Sequence, residues 1–174
     1  MPHSSNPLRL NVGFIVGLSV GDSRDFIFDI PSLHLDTDFD LVNLSGSAHI
    51  TRTAQGLLAQ VKLNALVECD CVRCLTPFSQ SLNSEFTELY AFSRNSVTES
   101  GLILPEDAHI DLTPLIREYL LLEVPMSPLC RTDCKGLCPI CGENLNETTC
   151  HHEDDSIDPR LAILKSLLEK KDNN

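Results

Sequence analysis

Seven apolar residues at every second position, Leu57, Ala59, Val61, Leu63, Ala65, Val67 and Cys69, constrain this chain more than any other stretch. Gln60, Lys62, Asn64 and Glu68 stand between them. A period of two puts one set of side chains on a single face, so residues 57–69 are expected to form a long, half-buried strand. Ala54-Gln55-Gly56 supplies a turn, and Ser47 to Thr53 the partner strand of a hairpin. Val61, Leu63 and Val67 are then expected to point inward. The hairpin is expected at the centre of an antiparallel sheet or partial barrel, in an α+β fold.

Either side of this hairpin the pattern is shorter. Leu8, Leu10, Val12 and Phe14 alternate, and residues 8–20 and 24–30 read as strands joined at Gly21-Asp22. Residues 31–45, rich in Asp and Leu, read as a loop, Phe78 to Phe92 as a further extended segment, and Ser93 to Gly101 as a polar loop. Helices come late. Asp111-Leu-Thr-Pro114 reads as a helix start, with Asp111 or Thr113 as cap and Pro114 in the first turn. Leu115, Ile116, Tyr119, Leu120 and Leu122 follow, and Pro125 stops the run. This helix, from about 112 to 123, is expected to cover one face of the sheet. Asp158-Pro159 opens a second helix, with Leu161, Leu164, Leu167 and Leu168 on one face and Lys170 and Lys171 at its end. That face is expected to dock on the core.

The long strand delivers its end into Cys69-Asp-Cys71-Val-Arg-Cys74, and a second cysteine-rich run spans Cys130 to His152. Five of the eight cysteines fall in those 23 residues, at Cys130, Cys134, Cys138, Cys141 and Cys150, with His151 and His152 behind them. Cys138-Pro-Ile-Cys141-Gly142 has the form of a zinc knuckle, in which two thiolates face one cation and the glycine takes a positive φ. Zn²⁺ needs about four N or S ligands. Four thiolates within 12 residues can wrap one ion, so Cys130, Cys134, Cys138 and Cys141 are expected to hold a single zinc. Cys150, His152, Cys71 and Cys74 are the alternates. Cys71 and Cys74 admit three readings: completion of a zinc site with Cys138 and Cys141, a redox pair, or thiols of a tight turn. A redox pair usually sits in a thioredoxin-like βαβ setting, which antiparallel strands do not provide. Disulfides need an oxidising compartment. The first seven residues, Met-Pro-His-Ser-Ser-Asn-Pro, lack the form of a signal peptide, and Val12 to Val20 is too short to span a membrane. A reducing, cytoplasmic setting is therefore expected, with no membrane partner. Three regions follow: a core domain over 1–125, a cysteine-rich zinc-binding segment over 126–157, and a C-terminal helix and tail over 158–174.

Charge restricts the partners. Thirteen Lys and Arg against 25 Asp and Glu give a formal charge of −12. Such a surface repels phosphate backbones and suits a basic protein, although excess carboxylate also serves solubility. Arg73, Arg131 and Lys135 are the cations that a small RNA or partner contact would use. Enzyme signatures are missing: there is no phosphate-binding glycine loop, no G-x-S-x-G and no H-E-x-x-H. His34, His49 and His109 stand alone in the chain. A cysteine-rich metal site is typically closed and structural. No small-molecule substrate and no catalysis are expected.

Several motifs together resemble the YceD family. They are Cys71-Val-Arg-Cys74-Leu75 after a long strand, Ile110-Asp-Leu-Thr-Pro114, Pro128-Leu-Cys130, Cys134-Lys-Gly-Leu-Cys138-Pro-Ile-Cys141-Gly, Asn144-Leu-Asn146 and Asp158-Pro-Arg160-Leu161. The resemblance runs from about Leu8 to Leu168. It implies a large ribosomal RNA subunit accumulation protein: a non-enzymatic cytoplasmic factor needed for normal 23S ribosomal RNA. Its partner would be a large-subunit precursor, through 23S ribosomal RNA or a basic ribosomal protein. Cys69 is extra to the family's C-x-R-C pattern, and Cys150-His151-His152 stands where similar sequences tend to have another cysteine pair. The cysteines taken alone suggest the alternative, a zinc- or redox-responsive thiol protein.

Overall fold

A computed structural model describes residues 6–36 and 39–152. The alternating stretch forms β4, Gly56–Asp70. It lies between β3, Phe39–Arg52, and β5, Pro77–Ala91, and with β2, Ser23–Asp36, they make a four-stranded antiparallel meander in the order β2-β3-β4-β5. The expected register is the one observed. Leu57, Ala59, Val61, Leu63, Ala65 and Val67 are buried, while Gln60, Lys62, Asn64 and Glu68 are exposed. On the polar face Lys62 pairs with Glu85, directly opposite on β5, at 2.8 Å. Gly56 is required by packing: a Cβ there would lie 2.2 Å from the Tyr90 carbonyl oxygen of the adjoining strand.

Residues 31–45 are not the loop expected from the sequence; most of them continue β2 and open β3. The pattern was hidden by a bulge. The β3–β4 register shifts between Val42 and Ser45, and Asn43 takes a left-handed φ of 52°. An extra residue inverts the parity of a strand. Phe39 and Leu41 are buried ahead of the bulge, and Leu44, Ala48 and Ile50 after it. No single alternation runs through both halves, so a period-two template fails there.

The expected strand over 8–20 is also corrected. It breaks into β1, Arg9–Asn11, and a single helical turn, α1, Gly13–Val16. The Asn11 side-chain oxygen accepts the Gly13 amide at 3.1 Å, and the Ile15 amide reaches the Val12 carbonyl at 2.9 Å. The same construction recurs later. β6, His109–Asp111, leads into α2, Thr113–Glu123, and the Asp111 carboxylate accepts the Thr113 amide at 2.9 Å. The two units face each other through antiparallel β1–β6 pairing. Val12 donates to the Ala108 carbonyl at 2.9 Å, and Leu112 to that of Leu8 at 3.1 Å. An Asx turn offers the chain a local alternative to the ladder, which ends each strand after three residues.

Helix α2 has Leu112 at its cap position, not Asp111 or Thr113 as expected, because the Asp111 carboxylate closes an Asx turn onto the Thr113 amide instead. Pro114 lies in the first turn, and Val124 returns to extended geometry before Pro125. Leu115, Ile116 and Leu120 join the main core. The helix contacts β5 through Tyr119, whose ring stacks on Phe86 at 4.2 Å and whose hydroxyl donates to Glu88 at 2.6 Å. That bond to a carboxylate holds the Tyr119 phenol up, at about 12. Among the described residues no helix is long and apolar enough to cross a membrane. The expected helix over 158–174 lies outside the described residues.

Val61→Asp is expected to abolish cooperative folding, because it replaces about 1.5–3 kcal/mol of burial with an unpaired buried charge. Lys62→Gln is expected to shift the urea midpoint by no more than about 0.5 kcal/mol equivalent, since its ion pair is exposed. Equal tolerance at the two positions would refute the register.

Candidate metal centre

The β4–β5 ladder closes with Asp70 opposite Pro77, leaving Cys71–Thr76 as the hairpin tip. Within it the Cys71 amide bonds the Thr76 carbonyl at 3.0 Å, and the Leu75 amide bonds the Cys71 carbonyl at 2.9 Å. Leu75 takes a left-handed φ of 56°. The downstream knuckle repeats this form. The Gly142 amide bonds the Cys138 carbonyl at 2.9 Å, and Gly142 has a φ of 76°. In both turns the residue after the second cysteine closes a five-residue loop that turns the two thiols to one side. Only the second turn has the glycine that such a conformation favours.

The cysteine-rich segment folds back onto the hairpin tip. Val72 donates to the Pro128 carbonyl at 3.0 Å, Leu137 to the Arg73 carbonyl at 3.1 Å, and the Arg73 guanidinium to the Cys134 carbonyl at 2.9 Å. Gly136, at φ 78°, makes the turn between Cys134 and Cys138. A Cβ on it would lie 3.1 Å from the Arg73 carbonyl oxygen.

Among the described residues, two groups of four donors result. Cys71, Cys74, Cys130 and Cys134 form one, and Cys138, Cys141, Cys150 and His152 the other; within each, all ligand atoms lie within 4.8 Å of one another. The four cysteines expected on one ion are thus divided, two to each group. The turn at Gly136 separates Cys134 from Cys138, and the hairpin tip, 56 or more residues upstream, supplies the missing pair. Cys150 and His152, alternates in the sequence, sit with the second knuckle. Cys71 and Cys74 meet Cys130 and Cys134, not Cys138 and Cys141. Cys69 belongs to neither group and packs against the main core.

In the first group Cys71 and Cys134 sulfurs are 3.8 Å apart, and those of Cys74 and Cys130 are 3.6 Å apart. Thiolates about 2.3 Å from a tetrahedral ion stand roughly 3.8 Å from each other, so the group has the size a metal requires. Cys71, Cys74 and Cys134 are buried. Hydrogen bonds from the backbone amides of Cys130, Cys74 and Arg73 outweigh desolvation and pull the Cys71 thiol down to about 6. Burial, with the neighbouring thiols, pushes Cys130 up to about 12. The Cys74 sulfur also bonds the Thr76 hydroxyl at 3.3 Å, and the Asn146 amide donates to the Cys134 sulfur at 3.4 Å. Asn146 in turn accepts the Lys135 amide at 2.9 Å. Thr76 and Asn146 are site residues that the sequence did not assign to the metal centre; the signal for Thr76 was its place two residues after Cys74, and for Asn146 its place in the Asn144-Leu-Asn146 motif.

The second group is more open. Cys138 is buried, Cys150 half-buried, and Cys141 and His152 exposed. The Cys141 sulfur lies 3.4 Å from that of Cys150 and 3.2 Å from His152 Nε2. Amides of Cys141 and Ile140 pull the Cys138 thiol down to about 7, whereas hydrogen bonding with the Cys141 thiol, followed by burial, raises Cys150 to about 12. Each group can hold a metal ion.

The three cations expected at a partner contact have separate settings. Arg73 is engaged at the Cys134 carbonyl, Arg131 lies 3.7 Å from Asp133, and the Lys135 side chain is exposed. Arg131 also borders a cleft of about 240 Å³ beside the first group, together with Cys74, Thr76, Asn144 and Glu147.

Fold and site define a class: a predominantly antiparallel-sheet protein whose β4–β5 hairpin carries a cysteine turn that a cysteine-rich segment meets. The chain belongs to the family described as large ribosomal RNA subunit accumulation protein YceD, which it matches over residues 59–168. It is 34% identical to an uncharacterized protein of Mycobacterium tuberculosis over 125 residues, 68% of this chain and 59% of that one. The uncharacterized protein YlbN of Bacillus subtilis is 30% identical over 106 residues, 60% of this chain and 62% of its own length. A maize protein, large ribosomal RNA subunit accumulation protein YCED homolog 1, chloroplastic, is 44% identical over 43 residues, 25% of this chain and 15% of its own. The matched stretch therefore spans less than two thirds of each of these relatives. No solved structure matches the chain.

Leu75→Gly is expected to unfold at no lower denaturant concentration than the parent. Leu75 is 65% exposed, and relief of about 1–2 kcal/mol of left-handed strain offsets the flexibility glycine adds to the unfolded chain. Leu75→Val, β-branched at the same φ, is expected to cost more than about 1 kcal/mol.

Proposed function

We propose that this protein is a non-enzymatic cytoplasmic factor supporting 23S ribosomal RNA accumulation and large ribosomal subunit assembly. Membership of a family described by large ribosomal RNA subunit accumulation is the observation that carries this reading. Zinc at the first cysteine group holds the working surface together. Four thiolates in a buried, tetrahedron-sized cluster suit a borderline-soft cation with no redox chemistry of its own, and leave no open position for a substrate. Cys71, Cys74, Cys130 and Cys134 are its ligands in this reading; the ion supplies folding free energy that joins the hairpin tip to the segment after Pro125.

The partner most compatible with the chain is a basic ribosomal protein. A formal charge of −12 attracts a basic surface over the whole molecule, whereas an RNA contact would rely on Arg73, Arg131 and Lys135. Of these, Arg73 already spends its guanidinium on the Cys134 carbonyl.

Removing the gene is expected to lower 23S relative to 16S ribosomal RNA; normal ribosomal RNAs and normal subunit ratios would overturn the assembly reading in favour of a thiol-based sensor. The tagged protein is expected to co-sediment with large-subunit precursors. Arg131→Glu with Lys135→Glu is expected to leave that association intact, and its loss in a folded double variant would move the contact to RNA. Cys74→Ser is expected to remove the ion of the first group and expose residues 126–137 to amide exchange while β3 and β4 stay protected.

A further inference from the structure

The second group, Cys138, Cys141, Cys150 and His152, is a different kind of site from the first. Its donors come from two short segments that meet at the edge of the cysteine-rich region. The knuckle supplies Cys138 and Cys141, and the chain that returns after Asn144 supplies Cys150 and His152. Local backbone bonds prepare this meeting. Leu137 and Asn144 form an isolated antiparallel bridge, Cys138 donates to the Glu143 carbonyl at 2.8 Å, and Leu145 donates to that of Gly136 at 2.9 Å. Thr148 then closes a turn onto the Asn144 carbonyl at 3.0 Å, which carries the chain back toward Cys141. These bonds gather the second group's donors locally, while Leu137, bonded to the Arg73 carbonyl, and Asn146, bonded to the Cys134 sulfur, anchor the same segment to the hairpin tip and the first group.

We propose that this group binds a second zinc ion, and that this ion exchanges with solution while the first is retained. The size fits: a tetrahedral zinc sets sulfurs about 3.8 Å apart, and a sulfur and an imidazole nitrogen about 3.6 Å apart. The observed 3.4 and 3.2 Å need only open by a few tenths of an ångström to admit it. The donor set, three thiolates and one imidazole, is among those that structural zinc sites use. A Cys141–Cys150 disulfide is the competing product of the same proximity; both cysteines are free thiols in this structure.

Exchange follows from exposure. In the first group three sulfurs are buried, and a chelator meets the cluster at the cleft edge beside Cys74 and Cys130. In the second, Cys141 and His152 are both exposed, so a competing ligand can reach the ion as a protein ligand departs. A neutral imidazole in place of a fourth thiolate also removes one negative charge from the ligand set. Outer-shell partners change metal affinity by about 10–100-fold, and the first group has them at two of its sulfurs, from Thr76 and Asn146.

The test is zinc stoichiometry and transfer kinetics on the full chain. Protein purified under reducing conditions is expected to carry two zinc ions by elemental analysis. A chromogenic chelator is expected to take one of them about tenfold or more faster than the other, by the same outer-shell argument. Cys150→Ser and His152→Ala should each abolish the fast phase and leave the slow one, and Cys71→Ser should do the reverse. Should Cys71→Ser fail to fold, His152→Cys provides the second check: it should keep both ions and slow the fast phase. Replacement by Co²⁺ should give two superposed spectra, one of a site with three sulfurs and one nitrogen and one of a site with four sulfurs. His152→Cys should convert the mixed-donor spectrum into the all-sulfur one. A single ion whose loss follows Cys71→Ser alone, two ions released at one rate, or a fast phase that survives both Cys150→Ser and His152→Ala would each overturn the proposal. A single ion lost with Cys150→Ser alone would overturn the zinc reading of the first group together with the two-ion proposal.

Discussion

The β4–β5 ladder is the constraint on which the remainder depends. From Gly56 opposite Ala91 to Asp70 opposite Pro77 the pairing advances residue for residue without a bulge. Strand side chains have a period of two, so a slip by one residue would expose Val61 and Leu63 and bury Lys62 and Asn64. The same slip would move Cys71 and Cys74 relative to the strand beneath them. Burial of the apolar face therefore also sets where the hairpin tip, and with it the first pair of thiols, is presented. Core packing and site geometry are consequences of one register.

The tip then acts as a template for a segment with little apolar material of its own. Between Pro125 and His152 the buried side chains are chiefly cysteines, with Leu129 and Leu137 packed beside them. Such a segment cannot stabilise itself by hydrophobic burial. Its attachments are polar and reach across the chain: Val72 to Pro128, Leu137 to Arg73, and Arg73 to the Cys134 carbonyl. Arg73 is therefore an organising residue of the fold before it is a surface charge. Its place between the two cysteines of the knuckle lets one side chain and one carbonyl hold the incoming chain next to the thiols.

The two knuckles show how similar local geometry yields unlike environments. Both close with an amide-to-carbonyl bond across five residues and a left-handed residue after the second cysteine. The tip knuckle sits at the end of a rigid ladder and is covered by the returning segment, so its thiols are buried. The second knuckle is covered by little beyond its own loop, so one of its thiols stays exposed. Chemistry that follows from exposure, such as ligand exchange, is thus set by what each turn is attached to.

Much of this could be read from the chain. Strict alternation from Leu57 to Cys69 determined a strand, its inward face and its hairpin partner, because side-chain direction in a strand is a local property. The Pro114 start and the stop at Pro125 were likewise legible, since the fixed φ and missing amide of proline act within a turn, although the cap is Leu112 and not Asp111 or Thr113. Cysteine spacing marked turns that bring two thiols together at Cys71–Cys74 and Cys138–Cys141, and each of them contributes to a group that could hold a metal ion. Which thiols share a group was beyond it: closeness in sequence favoured Cys130, Cys134, Cys138 and Cys141, and the turn at Gly136 parts them. The bulge at Asn43 and the Asx turn after Asn11 were also invisible, because each substitutes a local hydrogen bond or an extra residue for the pattern being sought. Sequence by itself determined the strand β4, the helix α2 and the two cysteine turns; only the tertiary structure decided that the hairpin tip supplies the first group with two of its four donors. The physical reason is that neighbours along the chain are set by covalent spacing, whereas neighbours in space are set here by where a bulge-free β ladder ends.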